Sequence, residues 1–179
     1  MTFFTITVQD QGVQDALKLL SARVQDMTPV LDNIGVAMIE RTKRRFETGT
    51  DPEGNAWKPN SATTLAMLAE RLAGKSSYRK KNGDLNAKGN LALANKKPLI
   101  GESGDLRREI HSLVSGNSLT VSSAMIYSAI QQFGGRAGRG LKVTIPARPF
   151  LPIRLDGTLY PEEQADILEA INGYLMGGL

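Results

Sequence analysis

The 179-residue sequence predicts a single α+β domain, residues 1–179, with N-terminal helices packed on a small, mainly antiparallel sheet and a C-terminal helix. Apolar residues recur with helical spacing between residues 10 and 46 and again after residue 160. Between these helical regions, residues 109–123 hold two β-prone runs separated by a Gly-Asn pair, which is typical of an antiparallel hairpin. A chain of this length can bury a substantial core as one domain.

The first predicted elements are a short strand and an amphipathic helix. Thr2–Val8 is rich in β-prone residues and predicts the strand. Asp10 is predicted to cap a helix that runs to about Asp26. The apolar residues of this helix follow the i, i+3, i+4, i+7 spacing of one face: Val13, Ala16, Leu17, Leu20 and Val24.

A second helix is predicted to begin at Thr28, as its cap, and to continue to about Phe46. Its stripe begins apolar and ends basic, at Arg41 and Arg45. Gly35 lies inside this helix, where glycine costs about 1 kcal/mol relative to alanine. A close helix crossing is one reason for the chain to tolerate that glycine.

A turn and a third helix follow. Asp51–Gly54 combines aspartate, proline and glycine in the order of a turn. Trp57, the single tryptophan of the chain, should fix this loop to the body of the protein. Ser61 or Thr63 is predicted to cap a helix that ends at about Ala73.

Residues 74–98 are interpreted as a basic flexible insert. Residues 71–100 hold eight basic residues and one acidic residue, with few strong apolar anchors. The insert is expected to be a mobile loop or a hairpin arm that turns at Asn82-Gly83. A structureless stretch of this length is uncommon in a compact domain unless it has a function or is disordered.

The sheet is predicted in the second half of the chain. A turn or one-turn helix at Ser103–Arg107 precedes two strands, Glu109–Val114 and Ser118–Ser123, which are joined at Gly116-Asn117. A short helix is predicted over Ala124–Phe133, with one face made by Ile126, Tyr127, Ile130 and Phe133.

The remaining elements surround a proline-rich stretch. Gly134–Gly140 is expected to be flexible and basic, and Leu141–Ile145 to be a short strand. A last helix is predicted to begin at Tyr160-Pro161, with acidic residues in its first turn where the helix dipole favours them. Its predicted buried residues are Ile167, Leu168, Ile171 and Leu175.

Composition argues against the commonest catalytic sites. The chain has no cysteine, which excludes thiol catalysis and Cys-ligated metals, and one histidine, His111, which excludes multi-His metal sites. No serine stands in a nucleophile elbow, and the glycine-rich pieces at 74–76 and 133–140 lack the spacing and context of phosphate loops. We therefore expect a protein that is not an enzyme and has no cofactor. No apolar run approaches the length of a membrane helix, so no membrane partner is expected.

The net charge of +4 conceals a strong segregation of charge. Residues 1–40 carry two basic and five acidic residues. Residues 41–154 carry twenty basic and eight acidic residues, and residues 155–179 carry no basic and five acidic residues. Such asymmetry produces fields that steer charged partners. The basic middle could contact nucleic acid, but few aromatic residues accompany it to stack on bases, so solubility and acidic protein partners are the favoured interpretation.

The most distinctive parts of the sequence are four segments: RRFETGTDPEGNAWKPNSATTL (44–65), LIGESGDLRREI (99–110), YSAIQQFGG (127–135) and IPARPFLPI (145–153). Their order resembles the phage virion morphogenesis and tail completion family of Mu-type and related contractile-tailed phages, over nearly the whole chain. Two positions depart from the family pattern, since Ser128 replaces alanine and Gln131 stands where histidine is common.

The last of these segments predicts a stiff extended strap, Pro146–Leu151, because its prolines fix their φ angles. Phe150 and Leu151 are expected to fill an apolar pocket, and Arg148 to make a forked salt bridge. The strap either seals its own domain or contacts a neighbouring subunit.

The resemblance implies a minor structural phage protein that completes the tail or neck and supports head–tail joining, as a ring of identical copies. Its implied partners are further copies of the chain and phage tail tube, terminator or neck proteins. Its implied location is the bacterial cytoplasm during assembly and then the virion. The alternative is a capsid-assembly or DNA-packaging factor that binds nucleic acid through its basic middle.

The predicted interface residues are basic side chains of the middle region and nearby aromatic residues. They are Arg41, Arg44, Arg45, Trp57, Lys75, Arg79, Lys80, Lys81, Phe133, Arg136, Arg139, Arg148 and Phe150.

Overall fold

The computed structural model describes residues 10–177, so the predicted strand Thr2–Val8 lies outside the described residues. The helices of this range are α1 (Gln11–Gln25), α2 (Thr28–Thr48), α3 (Ala62–Ala73), α4 (Ala87–Ala94), α5 (Asp105–Arg108), α6 (Ser128–Phe133) and α7 (Pro161–Met176). The strands are β1 (Ile110–Ser115), β2 (Ser118–Ser123), β3 (Gly135–Ala137) and β4 (Val143–Ile145). The predicted α+β class is confirmed.

The strands form two separate antiparallel pairs where the sequence predicted one sheet. In β1–β2, Ile110 lies opposite Ser123 and the strands turn at Gly116-Asn117, as predicted. In β3–β4, Gly135 lies opposite Ile145. The predicted strand over residues 141–145 is shorter than expected, because Leu141 has a φ of 55° and cannot be extended.

Helix α2 is the centre of the fold. Its buried residues Val30, Ile34 and Met38 contact the β1–β2 hairpin on one side and α7 on the other. A Cβ built on Gly35 would lie 3.0 Å from both Ser112 Cβ and Leu119 Cδ1. The close crossing anticipated at this glycine therefore exists, but its partner is the hairpin and not another helix.

We expect Gly35→Val to destabilise the protein by about 1–3 kcal/mol, because the added carbons overlap the hairpin and force it away. Gly173 in α7 is the matched control, since a Cβ there would meet no atom within 4 Å. Gly173→Ala should stabilise the protein by about 0.5–1 kcal/mol through helix propensity. Urea unfolding of the two variants measures both effects, and a Gly35→Val variant as stable as the wild type would contradict the close crossing.

A second cluster lies where α2 ends. Phe46 and Phe150 are both fully buried, with their ring centroids 5.3 Å apart. Trp57 packs edge-on against Phe46 at 5.4 Å, and its indole Nε1 donates to Pro149 O at 2.9 Å. The prediction that Trp57 fixes its loop to the body is confirmed.

The helix starts show which predicted caps are correct. Asp10 accepts from the Val13 N–H, and Ser61 accepts from the Thr64 N–H, so both predicted caps are confirmed. Thr28 is not the cap of α2 but its first helical residue. Its free N–H donates instead to the Asp26 carboxylate at 3.0 Å.

The segment 74–98 combines the predicted turn with a helix that the sequence did not predict. An antiparallel bridge between Arg79 and Leu85 surrounds the predicted Asn82-Gly83 turn. Helix α4 follows, capped by Asn86, and packs against α3. Its sequence, AKGNLALA, is short and mostly small, so it gives little helical periodicity.

Two further predictions are corrected at the surface. Helix α6 begins at Ser128 and not at residue 124, and Ile126, placed on its apolar face, is 99% exposed outside the helix. In α7, Ile167, Ile171 and Leu175 are half-buried, but Leu168 is exposed. Within residues 10–177, no helix has the length and hydropathy needed to cross a membrane.

Candidate assembly interface

A buried ion-pair cluster joins α2 to α7. Glu163, which is 3% exposed, accepts from Arg41 Nη2 at 2.7 Å and also pairs with Arg45. Arg45 in addition donates to Phe150 O at 2.9 Å. The first turn of α7 and the last turns of α2 are thereby fixed to each other and to the strap.

Arg148 fixes the strap to the loop that carries Trp57. Its Nε donates to Lys58 O at 2.7 Å and its Nη2 donates to Pro59 O at 2.8 Å. The predicted forked salt bridge is wrong, since both acceptors are backbone carbonyls. Burial lowers the pKa of the Arg148 guanidinium from its usual value.

Gln132 holds the other side of the strap, and sequence reasoning assigned it no role. Its Oε1 accepts from the N–H groups of Phe150 and Leu151 at 2.8 and 2.9 Å. Its Nε2 donates to Leu151 O and Ile153 O at 3.2 and 2.9 Å. A buried amide that pairs with four backbone groups replaces the sheet partner that a proline-rich strap cannot have.

These contacts decide between the two interpretations of the strap: it seals its own domain. Arg45, Trp57, Arg148 and Phe150 were predicted interface residues, and all four are buried inside the described chain. The rings of Trp57 and Phe150 gain free energy when their apolar surface is buried. The guanidinium groups of Arg45 and Arg148 find a carboxylate or carbonyl acceptors inside the chain, which offsets the cost of burying them. Arg41 is partly exposed but faces Glu163 and Asp166.

The other predicted interface residues lie on the surface. Lys75 pairs with Glu102 at 3.5 Å, and Phe133 is 37% exposed. The remaining basic candidates are exposed and, within residues 10–177, have no carboxylate in salt-bridge distance: Arg44, Arg79, Lys80, Lys81, Arg136 and Arg139.

Helix α1 presents an apolar surface that sequence reasoning did not include among the interface candidates. None of its fifteen residues is buried, and Leu17 and Val13 are 61% and 56% exposed. Near its C-terminal end, Arg23 donates to Leu175 O and Tyr174 donates to Asp26 O. Its regular apolar spacing predicts a contact face but cannot say whether the same chain covers it.

A sequence model of the phage virion morphogenesis family matches residues 8–176. The chain belongs to this family. It is also 31% identical over 164 residues to the "Mu-like prophage FluMu G protein 2" of Haemophilus influenzae (strain ATCC 51907 / DSM 11121 / KW20 / Rd). That alignment covers 92% of this chain and 89% of the relative. No solved structure gives a significant match. The suspected family is therefore confirmed.

The family segments converge on one part of the fold. Phe46, Trp57, Leu106 and Phe150 come from three of the four segments and form one buried cluster. Gln132 comes from the remaining segment and holds the strap that carries Phe150. In this virion morphogenesis protein the four family segments therefore build one buried cluster and hold the strap in place.

His111 lies outside this cluster. It is exposed, and its Nε2 is 3.2 Å from Glu109 Oε2. Among the side chains of residues 10–177, no group of three His, Cys, Asp or Glu comes together to hold a metal ion.

Proposed function

We propose that this protein is a minor structural component that completes the phage tail or neck and supports head–tail joining, acting as a ring of identical copies. Family membership supports a role in virion assembly. The observation that carries the proposal is the exposed apolar face of α1, because a single copy leaves it uncovered among the described residues. An amphipathic helix gains most of its stability from packing that face, so an assembly partner is the natural cover.

The charge layout favours contact between unlike surfaces. Four exposed carboxylates on α2 and α7 have no basic partner in the described range: Asp32, Glu40, Glu162 and Glu169. Others lie outside these helices, among them Glu70 on α3 and Asp84 in the 74–98 segment. The unpaired basic side chains lie mainly on the 74–98 segment and around β3. Copies that meet through an acidic face and a basic face make a heterologous contact, which closes into a ring when the rotation permits.

The mechanism in this proposal consists of binding without turnover. The fixed strap and ion-pair cluster provide a rigid body, and the exposed helix and basic segments provide docking surfaces. Further copies of the chain and tail tube, terminator or neck proteins are the proposed partners, first in the bacterial cytoplasm and then in the virion.

Leu17→Glu should abolish self-association while changing the free energy of unfolding by less than about 0.5 kcal/mol, because Leu17 is exposed in a single copy. Ala22→Glu adds the same charge on the opposite face of α1 and is the matched control. Light scattering after size exclusion measures the oligomer, and urea unfolding measures the stability. Unchanged oligomers in Leu17→Glu would contradict a role for this face.

The ring itself is tested by the mass of the purified protein, alone and mixed with tails that lack it. A discrete multimer, or a multimer that forms on the tails, is expected. A monomer at high concentration that also leaves tails unchanged would contradict the proposal.

The second candidate is a capsid-assembly or DNA-packaging factor, and the unpaired cations at Arg79–Lys81 and Arg136 favour it. Such a protein should bind duplex DNA with an affinity that falls steeply as salt is raised, since each phosphate contact releases counterions. Reversing the charges of Lys80 and Lys81 should then reduce the salt slope by about 1 to 2 units. DNA binding that is absent at low salt would exclude this candidate.

A further inference from the structure

A groove of about 790 Å³ is lined by α3, residues 96–102, β4 and the strap. Part of this lining is apolar, and Met67, Leu99 and Ile100 contribute to it. Met67 is 64% exposed, so this apolar surface is open to solvent. The groove therefore offers apolar contact area to an occupant.

The same lining includes four cationic side chains and one carboxylate. The carboxylate is Glu102, which pairs with Arg71 at 3.3 Å. Lys96 and Lys97 donate to backbone carbonyls, which leave the charge of a lysine uncompensated. The groove therefore has an excess of positive charge that attracts an acidic partner.

Arg148 is the one buried cation in this lining, and it is 7% exposed. Within residues 10–177, no carboxylate lies in salt-bridge distance of it. The carbonyls of Lys58 and Pro59 bind its Nε and Nη2 and leave its Nη1 without an acceptor in that range. Burial lowers the pKa of Arg148, because desolvation disfavours the charged form. A carboxylate brought into the groove would offset that desolvation.

The turn at residues 154–158 has the complementary groups. Leu155 is 80% exposed. Asp156 beside it is also exposed and has no basic partner among the described residues. Hydrogen bonds from the Thr158 hydroxyl and N–H to Asp156 Oδ1, at 2.7 and 2.9 Å, lower the pKa of this carboxyl. The turn thus presents an apolar side chain next to an ionised carboxylate.

The turn is held in one shape within its own copy. The Arg154 N–H donates to Thr158 O at 2.8 Å, and Ile153 forms an antiparallel bridge with Leu159. The Arg154 side chain pairs with Glu53 at 2.6 Å. Because these contacts fix the turn in advance, its binding to a partner costs little conformational entropy.

We propose that the Leu155–Asp156 turn of one copy docks in the groove of the next, with the leucine on the apolar lining and the carboxylate near Arg148. The turn does not line the groove of its own copy. Ile153 and Leu159, at the base of the turn, line a different pocket together with residues of α2 and α7. Turn and groove are therefore different surfaces of one copy, as a heterologous contact requires. This inference rests on the proposed self-assembly.

Leu155→Lys should weaken self-association by about tenfold or more, because the contact loses a buried leucine and brings a cation to a basic groove. Leu113→Lys is the matched control, since Leu113 is 69% exposed on β1 and does not line the groove. Sedimentation velocity of the full-length proteins over a dilution series measures the dissociation constants. Equal constants in the two variants would overturn the docked turn.

The absence of native cysteine permits a direct test of proximity. Full-length Leu155→Cys protein is mixed with a differently tagged chain that carries Met67→Cys or Val143→Cys, at two exposed residues of the groove. A disulfide-linked heterodimer is expected with at least one of the two. Leu113→Cys replaces Leu155→Cys in the control and should give several-fold less heterodimer.

The outcomes separate docking of the turn from the ring itself. If Leu155→Lys leaves the oligomer intact while Leu17→Glu dissociates it, the docked turn is overturned and the ring stands. A cross-link that forms only when both cysteines are in one chain would show that the turn folds onto its own groove, against the proposal. If duplex DNA, and not self-association, protects Met67→Cys from a thiol reagent, the occupant is a nucleic acid and the docked turn is overturned. A wild-type protein that stays monomeric, alone and with tails, would contradict both the docked turn and the ring.

Discussion

Replacing Phe150 with alanine should lower the free energy of unfolding by about 3–5 kcal/mol. The side chain is fully buried between the end of α2 and the Trp57 loop, 5.3 Å from the Phe46 ring. Its removal leaves a cavity where the strap, α2 and the loop meet. Because a typical domain is stable by about 5–15 kcal/mol, this one substitution should bring the protein close to unfolding.

The single tryptophan makes the measurement direct. Trp57 lies in the same cluster, so its fluorescence follows the loss of this core in urea. Phe133→Ala is the matched control, since Phe133 is 37% exposed and should lose less than half as much stability. Equal losses in the two variants would contradict the assignment of Phe150 to the core.

Glu163→Gln should lower the free energy of unfolding by about 3–5 kcal/mol, because it leaves the buried Arg45 guanidinium without a carboxylate. Glu163 is 3% exposed and binds both Arg41 and Arg45. The substitution keeps the size of the side chain, so the loss reports charge and not volume. Urea unfolding again measures it.

Asp166→Asn is the control for this ion-pair cluster. Asp166 contacts Arg41 at 3.4 Å, but its side chain is 51% exposed, so the loss should stay below about 1 kcal/mol. If both variants were equally mild, the cluster would not hold α7 to α2, and the account of a rigid body would fail.

Local pattern was enough to predict the longest helices and the first hairpin. Helices α1, α2 and α7 follow their apolar spacing, and the β1–β2 hairpin follows its alternating residues and Gly-Asn turn. These signals lie within one element and need no knowledge of its neighbours. The family resemblance also depended on short segments whose order can be read along the chain.

Partners distant in sequence could not be predicted in the same way. From the sequence, Glu163 is one of the acidic residues in the first turn of a helix. In the structure it is the buried partner of Arg45, which lies more than a hundred residues away in the chain. Arg148 reads as a salt-bridge donor but binds the carbonyls of Lys58 and Pro59. Which polar groups meet is decided by the packing of the whole chain.

The exposed apolar face of α1 shows the same limit of sequence reasoning. Its spacing predicts an apolar face, and the structure has that face with Leu17 61% exposed. Sequence periodicity indicates that an apolar face exists, but it does not identify what covers that face. Two interface candidates that were chosen for their charge, Arg45 and Arg148, are buried inside the domain.

Electron microscopy of phage particles made without this protein tests the central claim most directly. We expect filled heads and separate tails that fail to join, with joining restored when the wild-type protein is supplied in the same cells. Normal infectious particles in its absence would contradict a role in head–tail joining.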